Sequence, residues 1–210
     1  MKIAFIGIGK VGFALADNLS KAGYEVVVAA DDVTSESVRK ALQNNSALKH
    51  MSLSEGCNRA DIIFLAVPFG AVSEVVSKLG LADKILVDCT NPVGPGISHG
   101  LDSKQSGAEF IQSLVPECKV VKAFTIYGFE NFVDTAYPGY ADLRPAMLIA
   151  GDNAHAKEKV GAICESLGWE PTDTGPLSQA LHLEHMTLLW IKMARLQGKG
   201  SDFVWARLTR

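Results

Sequence analysis

Residues 2–31 read KIAFIGIGKVGFALADNLSKAGYEVVVAAD, and the order of patterns within them decides the fold. Lys2–Ile6 is a short run rich in strand-forming residues. Gly7-Ile8-Gly9-Lys10-Val11-Gly12 follows at once as G-x-G-x-x-G. Helical spacing then runs from Lys10 to about Ala22 and stops at Gly23, and Glu25–Ala30 (EVVVAA) is again strand-like. A glycine motif means little alone, but between a strand and a helix each glycine has its own task. Gly7 permits the tight turn, Gly9 lets backbone approach a diphosphate, and Gly12 lets helix and strand pack closely. The first amides of a helix lack partners and carry the positive end of its dipole, so an anion can rest there.

The second strand ends in Ala29-Ala30-Asp31-Asp32. Asp31 lies 24 residues after Gly7 and 19 after Gly12, where an acidic side chain accepts hydrogen bonds from an adenosine ribose. A carboxylate there repels a 2′-phosphate, and the nearest cations, Arg39 and Lys40, fall further along the next helix. This corner favours NAD over NADP. The same aspartates also suit a turn or a helix cap.

Outward from this unit, strands and helices alternate. A short strand is expected near Met51–Leu53, and Thr34 is placed to cap the helix after the second strand. Asp61–Val67 (DIIFLAV) and Lys84–Asp88 (KILVD) are continuous apolar runs, as in parallel strands covered on both faces. Further elements are a helix over Ala71–Leu79, a Gly/Pro/Ser-rich loop after Asn91-Pro92, a helix over Ala108–Leu114 and a strand over Lys119–Phe124. Glu130–Leu143 reads as a long surface loop. Pro145–Ala150 reads as a strand, Ala154–Leu167 as a helix, Trp169–Thr172 as a strand and Leu177–Gln197 as a closing helix. The rhythm predicts a doubly wound, mostly parallel α/β sheet of the NAD(P)-binding Rossmann type, in one domain spanning 1–210. Its core is residues 1–128, and 129–210 form a C-terminal extension. The closing helix is apolar on most sides, so it is expected in the core or against a second copy in a homodimer.

Open sheets of this kind bind ligands across the carboxyl ends of their strands. Those ends are Ala66-Val67-Pro68, Thr90-Asn91-Pro92 and Phe124-Thr125-Ile126-Tyr127. Small residues and prolines would let a nicotinamide ring lie on backbone, with Asn91 or Thr90 bonding its carboxamide. Turn chemistry explains Val-Pro and Asn-Pro equally well.

The 210 residues, 48% of them hydrophobic, suffice for a full core, and the net charge of −3 draws the chain neither to nucleic acid nor to an anionic membrane. The N-terminus lacks the pattern of a secretory signal. The longest apolar cluster, Met186–Leu196, is interrupted by Lys192 and Arg195 and is too short to span a bilayer. Cys57, Cys89, Cys118 and Cys164 are widely spaced, so free thiols and a cytoplasmic location are expected. No metal site is expected, because His182-Leu183-Glu184-His185 lacks the H-E-x-x-H spacing. Gly96-Ile97-Ser98-His99-Gly100 spells G-x-S-x-G but lies inside the Gly/Pro/Ser-rich loop rather than at a strand-to-helix turn, so no acyl-transfer elbow is expected. G-x-x-x-x-G-K-[ST] does not occur, which removes support for a nucleotide-hydrolysis loop.

GIGKVGFALADNLSKAGYEVVVAADD, FLAVP, LVDCTNP, KVVKAF, AGD and TGPLSQALHLE together resemble the coenzyme F-420-dependent NADP oxidoreductases. These pass hydride between NADP and an 8-hydroxy-5-deazaflavin. The nucleotide-binding domain of the transmembrane ferric reductases of animals is similar too. The resemblance implies that Ile8–Gly12 (with Lys10 and Val11) hold the pyrophosphate, that Ala30 and Asp31 face the adenosine ribose, and that Val67–Pro68 and Thr90–Pro92 lie beside the nicotinamide. It also implies a dimer whose last helix shapes the cleft for the second cofactor. Two departures stand out. Ala30-Asp31 replaces the family's Ser-Arg or Thr-Arg grip on the 2′-phosphate, and Thr125 replaces the Asn that usually follows KAF. The expected function is hydride transfer between NAD or NADP and a small redox partner, a deazaflavin such as coenzyme F-420 or a flavin. A dehydrogenase acting on a small carbonyl or imine, or a dinucleotide-binding regulator without turnover, are the alternatives; catalytic residues are not assigned.

Overall fold

The computed structural model of the chain describes all residues from Met1 to Arg210. Its N-terminal half alternates strand and helix: β1 (Lys2–Ile6), α1 (Lys10–Lys21), β2 (Glu25–Ala29), α2 (Glu36–Asn44), β3 (Lys49–Met51), α3 (Leu53–Arg59), β4 (Ile62–Leu65), α4 (Val72–Val76) and β5 (Ile85–Asp88). A small hairpin, β6 (Val93–Gly94) and β7 (Ser98–His99), precedes α5 (Gly107–Leu114) and β8 (Lys119–Lys122). Then come α6 (Glu130–Val133), β9 (Ala146–Gly151), α7 (Ala154–Ser166), β10 (Glu170–Asp173) and α8 (Ala180–Ile191).

Eight strands form one sheet in the order β10-β9-β8-β5-β4-β1-β2-β3. The six from β3 to β8 run parallel, β9 pairs antiparallel with β8, and β10 is parallel to β9. The fold is therefore the doubly wound, mostly parallel α/β sheet that the patterns predict. Strand order reverses between β1 and β4, which opens the switch-point crevice at their carboxyl ends. The central strands are buried along their whole length, in keeping with apolar runs covered on both faces. Because β9 runs the other way, with Lys122 opposite Ala150, its N-terminal half extends past the end of β8.

Several local expectations are corrected. Ser35, not Thr34, sits at the start of α2. Asp32 Oδ1 accepts the Thr34 N–H at 2.9 Å and its hydroxyl at 2.6 Å, an Asx-type turn that uses the capping hydroxyl before the helix begins. The strand expected at Met51–Leu53 lies at Lys49–Met51, since Ser52 caps α3 by accepting from the Glu55 N–H. The long loop expected over Glu130–Leu143 contains α6, whose Asn131 and Phe132 are buried. The expected helix over Ala71–Leu79 is a 3-10 turn at Phe69–Ala71 followed by the short α4. The closing helix is composite: a 3-10 turn at Leu177–Gln179, then α8, then a π turn at Lys192–Leu196. It buries Leu183, Leu188 and Trp190 but leaves Leu189 and Leu196 exposed. No helix is long and apolar enough to cross a membrane.

Gly12 shows why the motif cannot vary. A Cβ there would run into the Gly7 carbonyl oxygen, and Gly7 itself has φ 88°, with a Cβ only 2.6 Å from the Ala66 carbonyl. Gly12→Ala is expected to lower unfolding stability by about 1–3 kcal/mol, as read from the urea midpoint.

Candidate functional site

Five strand ends converge along one edge of the sheet, because β2, β1, β4, β5 and β8 are successive neighbours. They bring together the glycine turn, Ala30-Asp31, Ala66-Val67-Pro68, Thr90-Asn91-Pro92 and Thr125. The sequence separates these residues by more than a hundred positions, yet the structure sets them side by side.

At the glycine turn the first helical bond runs from the Phe13 N–H to the Gly9 carbonyl at 2.8 Å. The Lys10, Val11 and Gly12 amides thus have no intrahelical acceptor, and no side chain caps the helix. A Cβ on Gly9 would meet no protein atom within 4 Å. Gly7 and Gly12 are therefore required by the protein's own packing, whereas Gly9 faces open space that an anion can fill. Ile8 is buried beneath the turn, and the Lys10 ammonium lies 5.0 Å from the centre of the Phe129 ring.

Asp31 is exposed at the end of β2, and its Oδ1 accepts the Leu53 N–H at 2.9 Å. One carboxylate oxygen thus steadies the start of α3, and the other makes no hydrogen bond. The capping and ligand readings are both compatible with this geometry. Asp32 is also exposed, and its bonds to Thr34 hold its carboxyl below the usual range. Lys40 is engaged by Glu36 at 2.5 Å. The corner is acidic.

On the other side of the switch point, Thr90, Pro92 and Thr125 are buried and Asn91 is half-buried. Asn91 Oδ1 and Thr125 Oγ1 are both buried without a hydrogen-bond partner. Orphaned polar atoms at two adjacent strand ends carry a desolvation cost that a ligand with N–H or O–H donors would remove. Thr125 is carried there by Phe124, a fully buried residue at φ 54°. Such a conformation is an outlier for a bulky side chain. Phe64 and Phe132 pack on the Phe124 ring at centroid distances of 5.6 and 6.2 Å and hold it.

Beneath this shelf lies a charged network. Lys122 Nζ donates to Asp88 Oδ2 at 2.9 Å, to the Thr90 carbonyl at 2.6 Å and to Glu184 Oε1 at 2.8 Å. Asp88 Oδ1 accepts both the N–H and the hydroxyl of Thr90, at 2.8 and 2.7 Å. Glu184, from α8, also accepts the Gly107 N–H at the start of α5 and a bond from His99 Nε2 at 2.8 Å. His99 Nδ1 accepts the Leu101 and Ser103 amides, so its proton sits on Nε2. Burial opposes both charges. The two carboxylates nevertheless hold the Lys122 ammonium above its ordinary range, and Lys122, with His99 and the Gly107 amide, holds Glu184 below the ordinary carboxylate range. Glu184 thus leaves the His182–His185 pair and faces inward, while both histidines are exposed.

Residues 2–92 match the model of the family described as NADP oxidoreductase coenzyme F420-dependent. Over that span the chain resembles this family. Metalloreductase STEAP3 of Rattus norvegicus is 32% identical over 188 residues, which is 89% of this chain and 36% of that protein. The chain thus spans about a third of the length of the curated metalloreductases it matches. A crystal structure from Arthrobacter sp. FB24, provisionally described as an F420-dependent NADP-reductase, superposes with a TM-score of 0.87 at 25% identity, over 100% of both chains. A reductive aminase from Aspergillus terreus in complex with NADPH gives a TM-score of 0.67 at 14% identity, over 94% of this chain and 63% of that one, a likeness of fold alone.

In this chain, sequence reasoning missed Asp88, Lys122, Glu184 and His99. A signal was present for two of them: Asp88 and Lys122 each end an otherwise apolar run (ILVD, VVK). Replacing Lys122 by Met leaves two carboxylates buried without their cation, and the expected loss is about 3–5 kcal/mol of unfolding free energy. Glu184's lowered value means its contribution is complete above about pH 4.3 and fades as pH falls through the folded-state value. The raised value of Lys122 means its contribution is complete below about pH 10.4 and fades as pH rises through the folded-state value. In Lys122→Met the two buried carboxylates lose the cation that holds them ionised. The stability difference from native protein should therefore be largest between neutral pH and about pH 10.4, shrink towards acid as those carboxylates take up protons, and shrink above that limit as Lys122 loses its own, as measured by denaturant unfolding across pH.

Proposed function

We propose that the chain binds a nicotinamide dinucleotide along the strand-end crevice, with NADH preferred, and passes hydride to or from a deazaflavin- or flavin-type ring. The observation that carries this reading is the open space at Gly9 above amides with no protein acceptor. Gly7, Ile8, Gly9, Lys10, Val11 and Gly12 would cradle the pyrophosphate on backbone N–H groups and the helix dipole. Ala30 and Asp31 would take the adenosine ribose. Ala66, Val67, Pro68 and Pro92 would form the surface against which the nicotinamide lies, while Thr90, Asn91 and Thr125 set its orientation.

When bound, the dinucleotide supplies the hydride chemistry; the chain's share is to hold, orient and keep water out. Positioning of that kind can supply several kcal/mol of the barrier. The orphaned oxygens of Asn91 and Thr125 match the donors of a carboxamide, which fits a nicotinamide and not a bare diphosphate. Preference for NADH over NADPH follows from Asp31 and Asp32, whose charges oppose a 2′-phosphate, and from the engagement of Lys40 by Glu36. The family description names NADP, so coenzyme choice is where this chain would depart from its relatives.

Fluorescence titration tests both halves. Native protein is expected to bind NADH about tenfold or more tighter than NADPH, and Asp31→Arg to narrow or reverse that ratio. A native preference for NADPH contradicts the coenzyme assignment. Gly9→Ala should cost less than about 1 kcal/mol of stability yet weaken dinucleotide binding by about tenfold or more, since its methyl group enters space no protein atom uses. If NADH with purified protein reduces neither a deazaflavin nor a flavin, the hydride-transfer assignment fails.

A further inference from the structure

The network under the shelf is an odd way to stabilise a core. Asp88, Lys122 and Glu184 are all fully buried and together carry one excess negative charge. Apolar residues of similar volume often serve stability as well or better, so the feature to explain is what the charges do that packing does not. Here they fix a direction. Lys122 draws the Thr90 carbonyl downward, and Asp88 takes the Thr90 N–H and hydroxyl from below. Carbonyl and N–H of a trans peptide point in opposite senses. With the Thr90 carbonyl held by Lys122, the Asn91 N–H is aimed away from the network, and it makes no backbone hydrogen bond. Asn91 follows directly, with its Oδ1 buried and unpartnered.

The same three groups tie together elements that do not follow one another in sequence. Asp88 ends β5, Lys122 ends the neighbouring β8, and Glu184 comes from α8. Glu184 also grips the start of α5 through Gly107, and through His99 it grips the hairpin that follows Pro92. Thr90-Asn91-Pro92 is therefore clamped from below and from the chain that leaves it.

We propose that Lys122, held between Asp88 and Glu184, is the positioning residue for the nicotinamide end of the site: it sets the Thr90–Asn91 peptide and through it the Asn91 carboxamide, with α8 as the anchor. The inference rests on the dinucleotide reading above. It assigns a task to buried charges that touch no ligand, and it separates two ends of one ligand. The glycine turn and Asp31 make no contact with the network, so the adenosine diphosphate end should be blind to it.

ADP-ribose, which lacks the nicotinamide, makes that separation measurable. Calorimetric titration of NADH and of ADP-ribose would be carried out on the native full chain, on Lys122→Met and on Glu184→Gln. Glu184→Gln is the gentler change: it keeps shape, but its amide cannot accept from both Lys122 and the His99 Nε2–H, so one strut is lost. It keeps the test valid if Lys122→Met does not fold. Native protein should bind NADH more tightly than ADP-ribose. In Glu184→Gln the NADH dissociation constant should rise about tenfold, while that for ADP-ribose stays within about twofold.

Equal weakening of both ligands, or no weakening of NADH, overturns the proposal and leaves the dinucleotide reading standing. So does a native protein that holds NADH no better than ADP-ribose. Native protein that binds neither ligand overturns the dinucleotide reading and this inference with it.

Discussion

Helix α1 begins against the backbone of the turn that feeds it, and nothing larger than hydrogen fits between them. The Gly7 carbonyl occupies the place where a side chain on Gly12 would be, and the Ala66 backbone occupies the place of one on Gly7. This double contact locks the start of α1 to the ends of β1 and β4, the two strands on either side of the switch point. It also fixes where the unpaired amides point. The unpaired amides are thus a by-product of how tightly the first helix must pack: Gly7 and Gly12 permit the fold, and Gly9 leaves the space above those amides open.

The crevice has two ends with different chemistry. At the β2 end the groups are exposed and acidic, and under the proposed function they would discriminate between coenzymes by charge. At the β5–β8 end they are buried, orphaned and held by strain and ion pairing. Phe124 is kept in a left-handed backbone conformation by aromatic packing, and Thr90 by Asp88 and Lys122. Order at that end is what a ring must meet if two flat partners are to approach within roughly 3–3.5 Å of one another. The C-terminal extension supports the same end, since β9 overshoots β8 and α8 carries Glu184.

Much of this was legible in the sequence because period and punctuation carry it. The apolar runs from Lys2 to Asp88 marked parallel strands within one or two residues of their observed ends, and the glycine spacing marked the turn. The strand-end residues from Ala66 to Thr125 followed from where the expected strands stop. What the sequence hid was non-local. Thr34 looked like a cap because local spacing cannot show that Asp32 takes its hydroxyl. The segment around Phe132 looked like a loop because its burial depends on Phe124 and Trp169 packing around it. Glu184 looked like one side of a histidine pair because its partners are Lys122, His99 and Gly107, distant in the chain. The lone charges in apolar segments were the available clue, since a charge that must be buried needs partners from elsewhere.

The most direct measurement of the central claim is a crystal structure of the chain with NADH. The account expects the pyrophosphate within hydrogen-bond distance of the amides at Gly9–Gly12, and the carboxamide of the nicotinamide on Asn91 or Thr125. A dinucleotide seated elsewhere, or a cradle closed by side chains with NADH at saturating concentration, would contradict it.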